Sequence, residues 1–280
     1  MKRNPPCPHC GQTTVVKNGR LSIVKAEAVK YFCSSCEKYF STFTRTVFYY
    51  LNFPPQAVAF ALELMQDFGL SLTQTKLLVK RLFNVEVSKA TLSLWNKKLS
   101  KAELELPAVE FANVWHVDEM FVKHEQRSKQ GKKKCFDYLW VVCDSKQQVI
   151  AMHYSRNRDL QSAKTVLSKA RFRAGFVPRV IVSDDYLVYP RAVRCVLRGA
   201  LHVTAHFQPK TFFWNGEAWS LTNNIVESLN SRLRDRLRRK RGLKNFDSAT
   251  RFFKLLQAIW NSRFTKSLAA ALLNTIPRLA

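Results

Sequence analysis

Acidic residues are scarce in this chain. Asp and Glu together number 20 against 46 Lys and Arg in 280 residues, a formal net charge of +26. That imbalance points to a polyanionic partner, with nucleic acid first and an anionic membrane surface second. Long hydrophobic runs are missing too: no stretch stays apolar for the roughly 20 residues of a bilayer-spanning helix. No basic-then-apolar leader opens the sequence, and its polar start reaches Cys7 at once. The expectation is a cytoplasmic, nucleoid-associated protein with no membrane partner. In that reducing setting the 7 cysteines need a reason other than disulfides. The length suits one large domain with one or two small ones.

Four cysteines supply the reason. Cys7-Pro8-His9-Cys10 and Cys33-Ser34-Ser35-Cys36 are two C-x-x-C knuckles about one hairpin apart. Two such knuckles make a tetrahedral zinc site. Asn18-Gly19 between them predicts a tight turn flanked by Val15-Val16 and residues 21–24. Residues 1–45 are thus expected to form a zinc ribbon. Structural Zn²⁺ on Cys7, Cys10, Cys33 and Cys36 would hold together a segment too small to bury a core. His9 reads as a solvated spacer, and Cys135, Cys143 and Cys195 as buried apolar residues. Tyr31, Phe32, Tyr39, Phe40 and Phe43 are expected to coat the ribbon.

Pro54-Pro55 marks a boundary. Residues 55–68 then read as a helix with Val58, Leu62, Met65 and Phe68 on one side, stopped by Gly69. Ser71 caps a second helix carrying Leu72, Leu77, Leu78 and Leu82. Ser88 caps a third with Leu92, Trp95 and Leu99. Three short helices over 50–106 predict a helix-turn-helix-like DNA-binding region, with the third helix as reader. A plain helical linker or dimerisation bundle is the other reading. Pro107 and nearby acids form a hinge.

The stretch 113–123 contains Trp115-His116-Val117-Asp118-Glu119-Met120. Its aromatic and β-branched residues favour a strand. A carboxylate inside an apolar strand is costly unless paired or bound to a metal. Alternation sends Asp118 and Glu119 to opposite faces, so only one is expected to enter a given site. A basic loop is expected over 128–134, then strands at 136–143 and 148–154 complete a meander. Asp159 caps a helix through Leu160, Ala163, Val166, Leu167 and Ala170. Val180-Ile181-Val182 is apolar without alternation, as in a strand covered on both faces. It delivers Ser183-Asp184-Asp185 to the end where α/β sheets place chemistry. A short helix (189–197) and a strand (201–207) follow. Asn223-Asn224-Ile225-Val226-Glu227 opens a helix reaching Arg241-Gly242. Glu227, Asn230, Arg234, Arg238 and Arg241 recur on one of its faces. So dense a row of arginines predicts phosphate contact rather than a solvated face. Residues 246–280 read as a C-terminal packing helix, with Phe252, Phe253, Leu256 and Trp260 at helical spacing.

The order of elements over 111–245 is ribonuclease-H-like. Together with the Trp-His-Val-Asp-Glu strand, Val182-Ser183-Asp184 and the Asn-Asn-x-x-Glu helix, it resembles the DDE transposases of prokaryotic insertion sequences. The insertion-sequence-six type and its archaeal relatives are the nearest in pattern. The resemblance implies a catalytic, metal-binding triad of Asp118, Asp184 and Glu227. Asp185 stands as rival to Asp184, and Glu217 as rival to Glu227. The 42 residues between Asp184 and Glu227 exceed the family's usual spacing, and the excess is placed in 208–221 as an inserted turn around Trp214-Asn215-Gly216-Glu217. The implied cofactors are two Mg²⁺ or Mn²⁺ ions. The implied reaction is cleavage at element ends, then strand transfer into target DNA by a dimer or higher oligomer. A silenced or domesticated DNA-binding protein, or a ribonuclease-H-like nuclease, are the alternatives.

Overall fold

The computed structural model describes residues 4–23, 26–101, 110–128, 131–205, 210–214, 217–239, 243 and 245–262. One compact unit extends to Pro107 and a second spans Ala108–Phe264.

The first unit opens with strands β1 (Val15–Ile23), β2 (Ala26–Cys33) and β3 (Lys38–Ser41), paired antiparallel in that order. Asn18-Gly19 is not the turn that its sequence predicts. β1 runs through it, and the pairing with β2 slips between Lys17 and Arg20. Gly19 spends its positive φ of 85° on this bulge, which bends a strand as readily as a turn reverses one. Tyr31 and Phe40 do not coat the ribbon either. They stack at 5.2 Å and join Cys7, Val15 and Cys33 in its small buried cluster. Tyr39 stays exposed.

Helices α1 (Pro55–Gln66), α2 (Leu72–Phe83) and α3 (Lys89–Lys101) follow. Ser71 and Gln74 form a reciprocal capping box at α2, and Ser88 Oγ accepts from the Thr91 N–H at 3.0 Å. Both satisfy helix-end donors that would otherwise be bare. Leu92, Trp95 and Leu99 of α3 are buried as expected. On α2 Thr75 and Val79 face inward, while Leu77 and Leu82 are exposed. Thr75 and Val79, four apart, share one helix face.

The second unit contains β4 (Val114–Ser128), β5 (Gly131–Asp144), β6 (Val149–Ser155), α4 (Leu160–Ala174), β7 (Val180–Ser183), α5 (Val188–Val196) and β8 (Leu201–Thr204). The hairpin β9 (Lys210–Trp214) and β10 (Glu217–Leu221), then α6 (Asn224–Arg239) and α7 (Phe246–Ser262), complete it. The expected basic loop is mostly strand. β4 and β5 pair as far as Ser128 opposite Gly131, so Lys132, Lys133 and Lys134 lie in the ladder. Cross-strand pairing overrides the local charge run. The extra length before Glu227 is the β9–β10 hairpin, in which Trp214 pairs with Glu217. Glu217 is thus a strand residue, not a loop residue.

The five-stranded sheet has the order β6-β5-β4-β7-β8. The first three strands are antiparallel, while β7 lies parallel to both β4 and β8. All four residues of β7 are buried, which parallel strands reached by helical crossovers require. Alternation divides the core. Trp115, Val117, Trp140 and Val142 pack with α4 and α5. Met120, Val122, Leu139 and Val141 pack with α6 and α7 through Leu229, Leu233, Phe253 and Leu256. This is a ribonuclease-H-like fold: a mixed sheet with helices on both faces. α7 also covers the free edge of β6. Asn261 accepts from the Val149 N–H (3.0 Å) and donates to its carbonyl (2.7 Å), and Gln257 does the same for Met152 N–H and Ile150 C=O, each at 3.2 Å. Two side chains one turn apart thereby replace a neighbouring strand.

Candidate active site and metal-binding centres

β4 and β7 pair in the register Val114↔Val180, Trp115↔Ile181, His116↔Val182. β7 ends at Ser183, so Asp184 leaves the sheet level with Asp118. One carboxylate oxygen from each of Asp118, Glu119 and Asp184 lies within 4.8 Å of the other two. The expectation that only one of Asp118 and Glu119 could enter a site therefore fails. They do begin on opposite faces. Asp118 Oδ2 accepts from Asn230 Nδ2 of α6 at 2.8 Å, and Glu119 Oε2 accepts from the Tyr189 hydroxyl of α5 at 2.5 Å. Sheet faces are separate compartments only while a neighbouring strand divides them, and here β7 has stopped. Asp184 is half-buried and joins the group, whereas Asp185 is exposed and does not.

Every acid in the group is held. Asp118 Oδ1 accepts from the Glu119 N–H at 2.8 Å, and Asp184 Oδ1 from the Tyr186 N–H at 3.1 Å. Glu119 Oε1 accepts from Arg158 Nε at 2.6 Å. Burial, then the neighbouring charges of Glu119 and Asp184, push Asp118 up to about 7, against the pull of Asn230 and the Glu119 N–H. A carboxyl held this high stores an attraction for any cation that relieves the repulsion.

α6 brings the fourth acid. Thr222 Oγ1 accepts from the Asn224 N–H at 3.0 Å at the helix start. Val226, Leu229 and Leu233 anchor it; truncating Leu229 to Ala would cost about 2–5 kcal/mol. Glu227 sits in the first turn, half-buried, where the helix dipole favours an anion. Its carboxylate lies outside the 4.8 Å group and has no protein partner among the described residues. Asn230, one turn on, is fully buried against Asp118. Its side chain is turned to that carboxylate, whereas its place in the arginine row predicts phosphate contact. Arg234 and Arg238 are exposed on α6, and Arg238 pairs with Asp235 at 3.0 Å. Arg241 lies outside the described residues. Sequence reasoning missed Arg158, which precedes a helix cap with no motif to mark it.

His116 shares the Asp118 face and is buried. Burial pulls it down to about 4, although the Thr222 backbone is near enough to oppose this slightly. Among the described residues neither ring nitrogen has a hydrogen-bond partner, nor does the side-chain oxygen of Asn223 or Asn230. Buried polar atoms without partners suit a site completed by water or an ion.

The cysteines of the ribbon form the other group. Cys7 and Cys36 sulfurs lie 3.6 Å apart, as do those of Cys10 and Cys33, and all four lie within 4.8 Å. Zinc–sulfur bonds of about 2.3 Å place tetrahedral sulfurs roughly 3.8 Å apart, so the donors fit that ion. The His9 N–H donates to Cys7 Sγ at 3.4 Å, a knuckle contact made by the backbone and not the imidazole.

Among the described residues no helix is long and apolar enough to cross a membrane. No curated protein matches the chain. A simian T-cell lymphotropic virus intasome, solved by cryo-electron microscopy in complex with PP2A regulatory subunit B56 gamma, is similar over 79% of this chain and 76% of its own. The identity is 15% and the TM-score 0.35. A family model described as a DDE domain, of IS240-type transposases, matches residues 112–265. That match covers more than half of the 280 residues and takes in the acids of the sheet and of α6: the chain belongs to the DDE transposase family, and its reaction is DNA transposition.

Proposed function

We propose that Asp118, Asp184 and Glu227 are the catalytic carboxylates and hold two divalent ions, Mg²⁺ or Mn²⁺, for cleavage at element ends and strand transfer into target DNA. The observation that carries this is the meeting of Asp118 and Asp184 where β7 ends. The donor set is all oxygen, which hard cations require, and Asn230, which holds Asp118, has a buried side-chain oxygen without a partner among the described residues. Both Glu119 oxygens are already engaged by Arg158 and Tyr189, which leaves Glu227 as the third acid with free oxygens. When bound, the ions supply activation of the attacking oxygen and stabilisation of the leaving one at phosphorus.

The chain's own groups do the rest. Asn230 keeps one Asp118 oxygen turned towards α6, and the Glu119 N–H fixes the other. Arg234, Arg238 and Arg241 hold DNA phosphates along α6. Residues 1–45 form a ribbon closed by structural Zn²⁺, and residues 50–106 bind the element end with α3 as reader. Support for this comes from the exposed Lys89, Ser93 and Lys97 of α3 and the net charge of +26. Residues 111–245 carry the reaction, and α7 braces it; the remainder of the expected packing helix, 263–280, lies outside the described residues. Joining two element ends calls for a dimer or larger assembly on DNA in the cytoplasm.

The test is strand transfer of a labelled element-end duplex into plasmid with Mg²⁺ or Mn²⁺. Metal-dependent joining is expected from the native protein and none from Asp118→Asn or Glu227→Gln. Full joining by Glu227→Gln would remove Glu227 from the triad.

A further inference from the structure

Arg158 has more contacts in the acid group than neutralisation requires. Its Nε donates to Glu119 Oε1 at 2.6 Å, and its Nη2 pairs with the same oxygen. Its guanidinium lies 3.9 Å from the centre of the Tyr186 ring and 5.7 Å from that of Phe121. The Tyr186 hydroxyl donates to the Arg158 carbonyl at 2.8 Å, and the Tyr186 N–H donates to Asp184. Carboxylate, rings and backbone thus fix the plane of the guanidinium beside the end of β7. Yet the Arg158 side chain is 33% exposed while that of Glu119 is 2% exposed. Both contacts to Glu119 use the Nε–Nη2 edge, and Nη1 has no protein partner among the described residues.

We propose that Arg158 is a DNA-binding residue of the reaction centre, its Nη1 edge taking a non-bridging oxygen of the DNA phosphate held between Asp118 and Asp184, with Glu119 as the positioning residue that keeps it there. This rests on the reading of the site given above. A planar guanidinium held by one edge still presents N–H donors from the other in fixed directions, and phosphate oxygens match them. The placement answers an electrostatic need: three clustered carboxylates repel a phosphate, and a cation fixed at their border offsets that. It also gives Glu119 a role apart from metal binding. The bland alternative is that Arg158 only neutralises a buried acid.

Arg158→Gln, Glu119→Gln and the double variant separate the two. If Arg158 only neutralises Glu119, the double variant removes both charges and recovers melting temperature and joining together. On the present inference the double variant recovers its melting temperature, while single-turnover joining stays down by about 10²–10³-fold, the scale for loss of one placed donor. A second measurement needs no chemistry: duplex binding against KCl concentration, without divalent ion. Adding Arg158→Gln to Glu119→Gln should lower the slope of log K against log salt by about 0.9, one phosphate contact. An unchanged slope overturns the inference, as does recovered joining in the double variant. Failure of the native protein to join any duplex would count against the reading of the site, and the slope would still decide for or against Arg158. Should the double variant not fold, Arg158→Lys decides: it keeps the charge and the slope but loses the planar fork, so undiminished joining overturns the inference.

Discussion

The two groups of metal-binding side chains are built by opposite rules. The thiols sit on turns of a ribbon whose buried cluster holds little beyond Cys7, Val15, Tyr31, Cys33 and Phe40. The clustered carboxylates sit within β4 and just past the end of β7, in a sheet with a packed core on each face. In the ribbon the ligands replace a core; in the sheet a core carries the ligands. Loss of a thiol should therefore cost the fold, and loss of a carboxylate should cost only the chemistry. The lesson lies in supply: the sheet has stability to spend on holding like charges together, and the ribbon has none.

The largest effect should come from the ribbon. Cys33→Ser, or a strong chelator, should release zinc and unfold residues 1–45, since structural zinc is worth about 10–16 kcal/mol to small domains. Zinc content and the circular dichroism change report it, and the unfolding of residues 108–264 should not move. If both units melt together, the contrast fails. Next comes Asp118→Asn, with joining reduced on the order of 10⁴-fold, the scale for losing a member of a catalytic group. Its melting temperature at pH 8 should equal or exceed the native value. The native carboxyl, pushed up to about 7 by burial and by Glu119 and Asp184, must ionise there at a cost that the amide avoids.

The third effect is a pH dependence peculiar to the acid group. The folded protein keeps the Asp118 proton up to about pH 7, so this group's contribution to apo stability falls as pH rises from the usual carboxylate range to 7. A divalent ion needs the ionised form and competes with that proton below 7. The rise in melting temperature caused by Mg²⁺ should accordingly grow from pH 6 to pH 8 with a midpoint near 7. A midpoint near 4, typical of unperturbed carboxyls, would show that the acids do not act together. Smaller still is Asn230→Ala. It removes a hydrogen bond that lowers Asp118, so the midpoint should move up and joining at pH 7 fall by about tenfold, one unit's worth of ionisation, with recovery at higher pH. Smallest is Arg234→Ala, expected to reduce the salt slope of duplex binding by about 0.9 and to leave the midpoint in place.

What could be read from the sequence divides along the same line. Features set by near neighbours were legible. Ser71 with Gln74, Asp159 before its helix, the unbroken apolar run of β7 and the paired C-x-x-C knuckles each state their chemistry within a few residues. Features set by pairing with distant chain were not. Asn18-Gly19 has turn composition, but β2 decides that it is a bulge. Lys132 to Lys134 have loop composition, but β4 decides that they are strand. Alternation separated Asp118 from Glu119 correctly along β4, yet their meeting depends on where β7 ends, which no local pattern records. Asn230 has the spacing of the arginine row, and only the packing of α6 on β4 turns it inward. Arg158 depends on Glu119 and Phe121 of β4 and on Tyr186 beyond β7, and left no local trace.

The cover that α7 gives to β6 has a consequence in time. Asn261 satisfies Val149 from 112 residues further along the chain. During synthesis at about 5–20 residues per second, that edge waits roughly 6–22 s for its partner. Throughout that interval the nascent sheet presents open backbone donors and acceptors, together with the uncovered apolar side of Met120, Val122, Leu139 and Val141. A message truncated between Glu227 and Gln257 yields a chain that holds every acid of the site but lacks both side chains of α7 that cover the β6 edge. Such products keep an open strand edge, the kind that invites aggregation, so the last turns of α7 decide whether the sheet is closed.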